Sequence, residues 1–441
     1  MRIGLILEKI QINLLSLLLI VCALFMSTFL YAQEKNTPGV LPEPLTLEYA
    51  LSLSGNNHPD NIIIRSQLNQ ARARHGQENA ALGVKAAIAG RIRWVEPLYS
   101  DINHDDHYAG LIVTKRLYDS GYSQAKIAAA QSSLKQQRWL LLDNTAQRRL
   151  SIIRAYFDVV LSDLAYARDN EAMALAYVRF DRIKDRKELG QVADVDLLKA
   201  ESTYQKARSL RYASDVRRRA KRNFLANLLN HPGHLPDQLV KPKLIILKRK
   251  LPKLEVLQVQ ALKDNPQLLA LRQQVEAARQ KLRAARSKYK PVIDFELEAS
   301  KYTRELRSSD PLRAGIRFEI PLTTGGASRS DTALRLAELH QSEALLRNAE
   351  LDVQQQVLEL WQLIYITRAK RDEAIITHEY REISLDNNRA LYELDIKADL
   401  GEAMADFVAA LYQSASVDYE LTLALLQMDA ILGKPVSLKL D

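Results

Sequence analysis

The sequence predicts a mainly α chain with a small β part, arranged as two structural repeats. Three observations predict it. Two stretches, Tyr122 to Leu189 and Ala327 to Leu400, contain no Gly or Pro. Each follows a pair of short stretches in which apolar and polar residues alternate. The whole pattern then recurs 205 to 207 residues later, as Pro59 with Pro266, Gly110 with Gly315 and Asp194 with Asp399 show. That period is far too long for a solenoid unit and marks a duplicated half.

The bulk composition narrows the class. Of 441 residues, 47% are hydrophobic and 26% charged, which is a folding composition and not a disordered one. The net charge of +9 comes from Lys and Arg interleaved with Asp and Glu, without the concentrated basic stripe that nucleic-acid binding needs. Arg2 and Lys9 precede the apolar run "INLLSLLLIVCALFMSTFLYA", after which the chain turns polar. Residues 1–32 therefore read as a secretory signal peptide cleaved after Ala32, with an uncleaved membrane anchor as the alternative. The single cysteine, Cys22, lies inside that run, so the mature chain has no disulfide and no thiolate metal site. No later segment is apolar enough for a transmembrane helix.

The first repeat spans 45–230. Thr46 is placed to N-cap a helix running from Leu47 to about Val84. A weak strand comes after it, with Ile92 and Trp94 alternating with Arg91 and Arg93 before Pro97 interrupts. "AGLIVTKRLYDSG", Ala109 to Gly121, is the second strand and its closing turn. The long helix comes next; at 1.5 Å per residue such a run extends on the order of 100 Å. Leu150, Ile153, Phe157, Val160, Leu164 and Ala167 keep 3-4 spacing and form one apolar stripe. A helix this long must bury that stripe against other long helices. After the turn at Gly190 a shorter helix returns, able to stack end to end with the helix before the strands. Residues 231–252 carry four prolines and read as a linker. The second repeat, 253–433, repeats the order with its stripe at Val353, Val357, Leu360 and Ile364, and 434–441 is a tail.

The strands of the second repeat are the clearest. Ile293, Phe295 and Leu297 alternate with Asp294, Glu296 and Glu298, and Ile316, Phe318 and Ile320 with Arg317 and Glu319. Each stretch has about the ten residues of a tilted membrane-crossing strand. Four strands cannot close a barrel, and an open edge in lipid costs several kcal/mol per unpaired backbone group. Three copies would supply twelve strands, an acceptable number for a shared barrel. A small soluble sheet capping a helical rod fits the patterning equally well.

"LTLEYALSLSGNNHP", "LYDSGYS", "RAYFDVVLSDLAYA" and "LGQVADVDLLKAE", echoed by "ALKDNPQ", "IPLTTGG", "LELWQLIYI" and "LDIKADLGEAM", resemble the TolC-type outer-membrane efflux protein family from about Leu45 to Gly433. The resemblance implies a homotrimer in which long antiparallel helices form a periplasmic helical barrel below a shared 12-stranded transmembrane β-barrel. It implies an outer-membrane location in a Gram-negative bacterium, a passive exit duct for a tripartite pump or type I secretion system, and no cofactor. Its partners would be a periplasmic adaptor protein, an inner-membrane transporter and outer-membrane lipid. Three departures stand out: Arg116 occupies a family proline position, Asp395 replaces a frequent glycine at the second helix-helix turn, and Gly401 and Met404 stand where some members carry gating aspartates.

On that basis Gly190, Gln191, Val192, Ala193 and Asp395, Ile396, Lys397, Ala398 form two tips where an adaptor would dock, although Gly190 also suits a plain left-handed cap. Asp395, Asp399, Glu402 and Asp406 share one helical face and are candidates for an acidic ring at the periplasmic aperture, or for a solvated exterior face. Ile293, Phe295, Leu297, Ile316, Phe318 and Ile320 are expected to face lipid. "HDDH", His104 to His107, and "HPGH" read as exposed loops rather than metal sites. "ILKRKLPK", Ile246 to Lys253, is a basic linker patch that reads as solvated rather than as a contact with membrane or peptidoglycan. No nucleophile-base grouping, P-loop or dinucleotide fingerprint occurs, so an enzyme is not expected. The competing class is a periplasmic coiled-coil structural or adaptor protein without a pore.

Overall fold

The computed structural model describes residues 41–55, 58–96, 104–303, 310–394 and 399–438. The chain divides into units 1–41 and 42–441, and every described helix and strand belongs to the second. The expected signal segment and the tip at Asp395, Ile396, Lys397 and Ala398 lie outside the described residues.

In order, the elements are α1 (Leu47–Ser52), α2 (Pro59–Ala80), β1 (Lys85–Arg91), β2 (Tyr108–Tyr118), α3 (Tyr122–Glu188), α4 (Asp194–Leu228), α5 (Leu254–Asp264), α6 (Pro266–Ser287), β3 (Val292–Tyr302), β4 (Leu312–Glu319), α7 (Ala327–Glu393) and α8 (Leu400–Ile431). α3 and α7 have 67 residues each, and α2 and α6 have 22 each. Thr46 does cap α1, its hydroxyl accepting from the Tyr49 N–H at 3.2 Å. The single first helix expected from Leu47 to Val84 is instead two helices. Pro59, at the first position of α2, lacks the N–H that would continue the preceding turn. Gly121 and Gly326 precede α3 and α7 with φ of +83° and +86°. That left-handed conformation explains why both strand phrases close on glycine.

β1 is the other correction. Ile92 and Trp94 lie beyond it, and Trp94 makes only an isolated bridge to Asp105. The strand is built from "KAAIAGR", whose small residues give almost no hydrophobic alternation, so the pattern pointed to its more apolar flank. The four strands form one antiparallel sheet in the order β1-β2-β3-β4, leaving β1 and β4 as its edges.

Beneath the sheet α3 packs against α2 and α6, and α6 against α7; further along, α3 packs against α4 and α8, and α8 against α7. α3 is thus an inner helix and α7 an edge helix, and their burial differs accordingly. α7 hides one stripe, with Val353, Val357 and Ile364 buried. α3 hides the expected Leu150, Ile153 and Phe157 and also Ile152, Tyr156 and Val159 around the same turns. A helix with neighbours on both sides cannot show a single-stripe pattern.

The core sits at the middle of α3. The Tyr156 hydroxyl lies 2.8 Å from the Leu45 carbonyl and 2.6 Å from that of Val240, anchoring the two chain segments that bridge in parallel at Leu45 and Leu239. Burial pushes its phenol well above the usual tyrosine range. Buried Arg148 donates to the carbonyls of Ser54 and Leu228, at 3.1 and 2.8 Å, and joins the start of α2 to the end of α4. In the other repeat, the Asn265 amide donates to the Ile431 carbonyl at 3.0 Å, joining α6 to α8. Paired short helices stacked along one long helix result in both places.

Candidate functional site

The sheet presents two unlike faces. Register pairs Ile293 with Phe318, Phe295 with Ile316 and Leu297 with Ala314, so the predicted apolar residues of β3 and β4 share one face. Ile88 of β1 pairs with Leu111 of β2 on it, and Ile320 directly follows β4. Among the described residues nothing covers this face at its edges: Ile88 is 87% exposed, Phe318 72% and Ile316 65%. Apart from Lys115 and Lys301, opposite Phe295 and Ala109, this face is apolar, and such a surface marks an interaction with lipid or protein.

The opposite face carries a ladder of charges. Arg116 donates to Asp294 at 3.0 Å, and Arg317 reaches Asp294 at 3.9 Å and Glu296 at 3.6 Å. Arg313 donates to Glu298 at 2.9 Å, and the Tyr108 hydroxyl donates to the same carboxylate at 2.8 Å. Arg116 therefore has a partner in β3 of the other repeat, a role no proline at that position could fill. The "HDDH" loop is also less open than expected. Asp106 is buried and paired with Arg91 and Arg93 beside the sheet, while His104 stacks on Trp94. Burying this carboxylate is offset by the two guanidinium groups. Among the described residues, no group of His, Cys, Asp and Glu is suited to hold a metal ion, and no helix is long and apolar enough to cross a membrane.

At the far end, α3 stops at Glu188 and Gly190 takes φ of +70°. The Gly190 and Gln191 N–H groups donate to the carbonyls of Lys187 and Arg186 at 2.8 and 2.9 Å, which satisfies the helix end. Ala193 precedes α4 in extended conformation. Around this turn Leu189, Val195 and Leu198 are exposed, and Val192 is half-buried.

Three of the four aperture candidates are described. Asp399 N-caps α8, accepting from the Glu402 N–H at 3.1 Å. Arg179 of α3 reaches Asp399 at 3.2 Å and Glu402 at 2.9 Å. Arg381 of α7 pairs with Asp406 at 2.5 Å. The Glu402 N–H, followed by Arg179, holds the Asp399 carboxyl below the usual carboxylate range. The acidic face is thus tied to two arginines that sequence spacing could not supply, because they lie on other helices. Gly401 has a reason to be small: a Cβ there would meet Leu175 of α3 at 3.3 Å.

The chain thus carries an open sheet with one charged and one bare apolar face on two helices of 67 residues. Residues 257–434 match the family described as outer membrane efflux protein. No curated protein matches by sequence. Among solved structures, the Campylobacter jejuni CmeC outer membrane channel aligns at TM-score 0.72 and 14% identity, covering 90% of this chain and 87% of its own. CusC, whose structures concern transmembrane channel formation, aligns at 0.71 and 17%, covering 88% and 92%. The outer membrane protein VceC from Vibrio cholerae aligns at 0.69 and 14%, covering 89% and 97%. The TolC-type resemblance read from the sequence therefore holds in the family match and in the fold alike. Residues 257–434 are thus similar to the outer membrane efflux proteins, and the chain shares its fold with solved outer-membrane channels.

Proposed function

We propose that three copies of this chain form the outer-membrane exit duct of an efflux assembly and conduct substrates passively. The observation that carries this reading is the sheet: β1 and β4 are unpaired edges, and the apolar face is bare. In lipid those backbone groups need partners, and β4 of one copy pairing with β1 of the next would close twelve strands. Ile293, Phe295, Leu297, Ile316, Phe318 and Ile320 would then face lipid, and the Arg116, Asp294 and Arg317 ladder the water-filled lumen. The same closure would cover apolar side chains of α7, such as Ile366, Ile376 and Ile383, which are exposed in the single chain.

Within this reading 45–230 and 253–433 are the two repeats, and the turn at Gly190, Gln191, Val192 and Ala193 is a docking tip for a periplasmic adaptor. Asp395, Ile396, Lys397 and Ala398 would form the second tip. Asp399, Glu402 and Asp406, with Arg179 and Arg381, would set the aperture. An inner-membrane transporter would select the cargo, for drug efflux or for type I secretion. Fractionation tests the whole: the chain should enter the outer membrane, migrate as a trimer-sized species and give stepwise conductance in planar bilayers. Extraction as a soluble periplasmic monomer would instead favour a coiled-coil adaptor.

A further inference from the structure

Just below the sheet, α2, α3, α6 and α7 enclose a groove of about 790 Å³. α3 and α6 make its floor, where Ala129, Ala130, Ala284 and Ala285 bring the two helices close. α2 and α7 make its walls. The lining carries five cations, Arg74, Lys126, Lys281, Lys288 and Arg335, against two carboxylates, Glu78 and Asp331. Glu78 pairs with Lys126 at 2.8 Å, and Asp331 with Lys288 at 3.1 Å. Arg335 is held by Glu338 at 2.9 Å. Arg74 and Lys281 have no carboxylate partner among the described residues, and glutamines fill the remaining rim.

The groove begins where the sheet ends: Tyr122, in its lining, is the first residue of α3 after the Gly121 turn that follows β2. In the closed assembly proposed above, this groove would lie in the tunnel wall just below the barrel. Cations facing each other across a hollow wall raise the local concentration of anions, and helical walls focus the field. Charged rings select passing ions by the same physics.

We propose that this groove is an anion-binding station in the tunnel wall, with Arg74 and Lys281 as its free cations, and that it favours cargo bearing several phosphate, sulfate or carboxylate groups. The glutamine amides supply neutral donors for the remaining oxygens, and the alanine floor leaves room for the body of the ligand. The proposal rests on the channel reading, since the groove is a tunnel wall only in a closed assembly.

The test uses the full chain reconstituted in planar bilayers, with inorganic tripolyphosphate as the anionic probe. Wild-type conductance should fall as tripolyphosphate is added, less so at high salt. Arg74→Glu with Lys281→Glu should raise the half-blocking concentration at least tenfold and move the zero-current potential in a KCl gradient towards cation preference. The milder pair Arg74→Gln and Lys281→Gln, at exposed positions, should give an intermediate shift and guards against a folding defect. Conducting variants with unchanged block and unchanged zero-current potential overturn the proposal while leaving the channel reading intact. No conductance from the wild type overturns both.

Discussion

Phe157 of α3 and Tyr419 of α8 stack nearly parallel, their ring centroids 4.2 Å apart and their planes inclined by 11°. Both rings are buried, one from each repeat, so the contact ties the two halves of the chain together at mid-length. Offset stacking adds roughly 0.5–1.5 kcal/mol to the burial itself. Phe157→Ala should therefore destabilise the chain by about 3–5 kcal/mol, read as a lowered denaturation midpoint. A change under about 1 kcal/mol, well below the usual cost of such a truncation, would mean the two halves are held elsewhere.

Tyr419→Phe should behave oppositely. The Tyr419 hydroxyl is buried without a hydrogen-bond partner, so removing it costs nothing in lost bonds. Burial pushes this phenol up to about 12. Because the folded value lies above the ordinary one, the associated stability is complete below pH 10 and disappears as the pH rises towards 12. Alkaline unfolding curves of Tyr419→Phe and wild type should thus diverge above pH 10, with the variant the more stable. Superimposable curves would refute the assignment.

The bare sheet face predicts an asymmetry between neighbouring residues. Phe318→Asp should block assembly into the outer membrane, whereas Glu319→Gln should be tolerated, since a charge on the lipid face costs up to a few kcal/mol and one on the lumen face does not. Trimer yield after heat-free electrophoresis is the measurement. Equal tolerance would mean that the strand never meets lipid.

In the proposed aperture, Arg179 should act through its two carboxylates. Arg179→Ala leaves Asp399 and Glu402 without their cation, and Asp399→Ala with Glu402→Ala removes the charges themselves. Single-channel conductance and cation block should change in both variants, in opposite directions. Asp399 is held below the usual carboxylate range, so its cap stabilises α8 above that range and fails as the pH falls through the lowered value. Acid should therefore shift wild-type conductance towards that of the double alanine variant.

Arg249 lies in the basic linker and is not simply solvated: its guanidinium donates to both oxygens of buried Asp429, at 2.6 and 2.7 Å. Arg249→Ala strands that carboxylate and should cost about 3–5 kcal/mol. Pairing Arg249→Met with Asp429→Leu should recover most of the loss. Thermal denaturation of the two variants distinguishes a desolvated pair from an idle surface contact.

The period near 205 residues, the two Gly- and Pro-free runs and the alternation around Phe295 and Phe318 determined the element order, the helix lengths and which strand residues share a face. These are local properties, because backbone propensity and residue period act over a few neighbours. Tertiary structure decided the rest. It moved β1 to the small residues of Lys85–Arg91, since pairing with β2 and not side-chain pattern holds that strand. It gave α3 a second buried stripe, because inner helices have neighbours on two sides. It brought Arg179, 220 residues away in sequence, to Asp399 and assembled a cationic groove from four helices. Ion pairs and cavities of that kind depend on which helices lie side by side, and no periodicity within one helix records its neighbour.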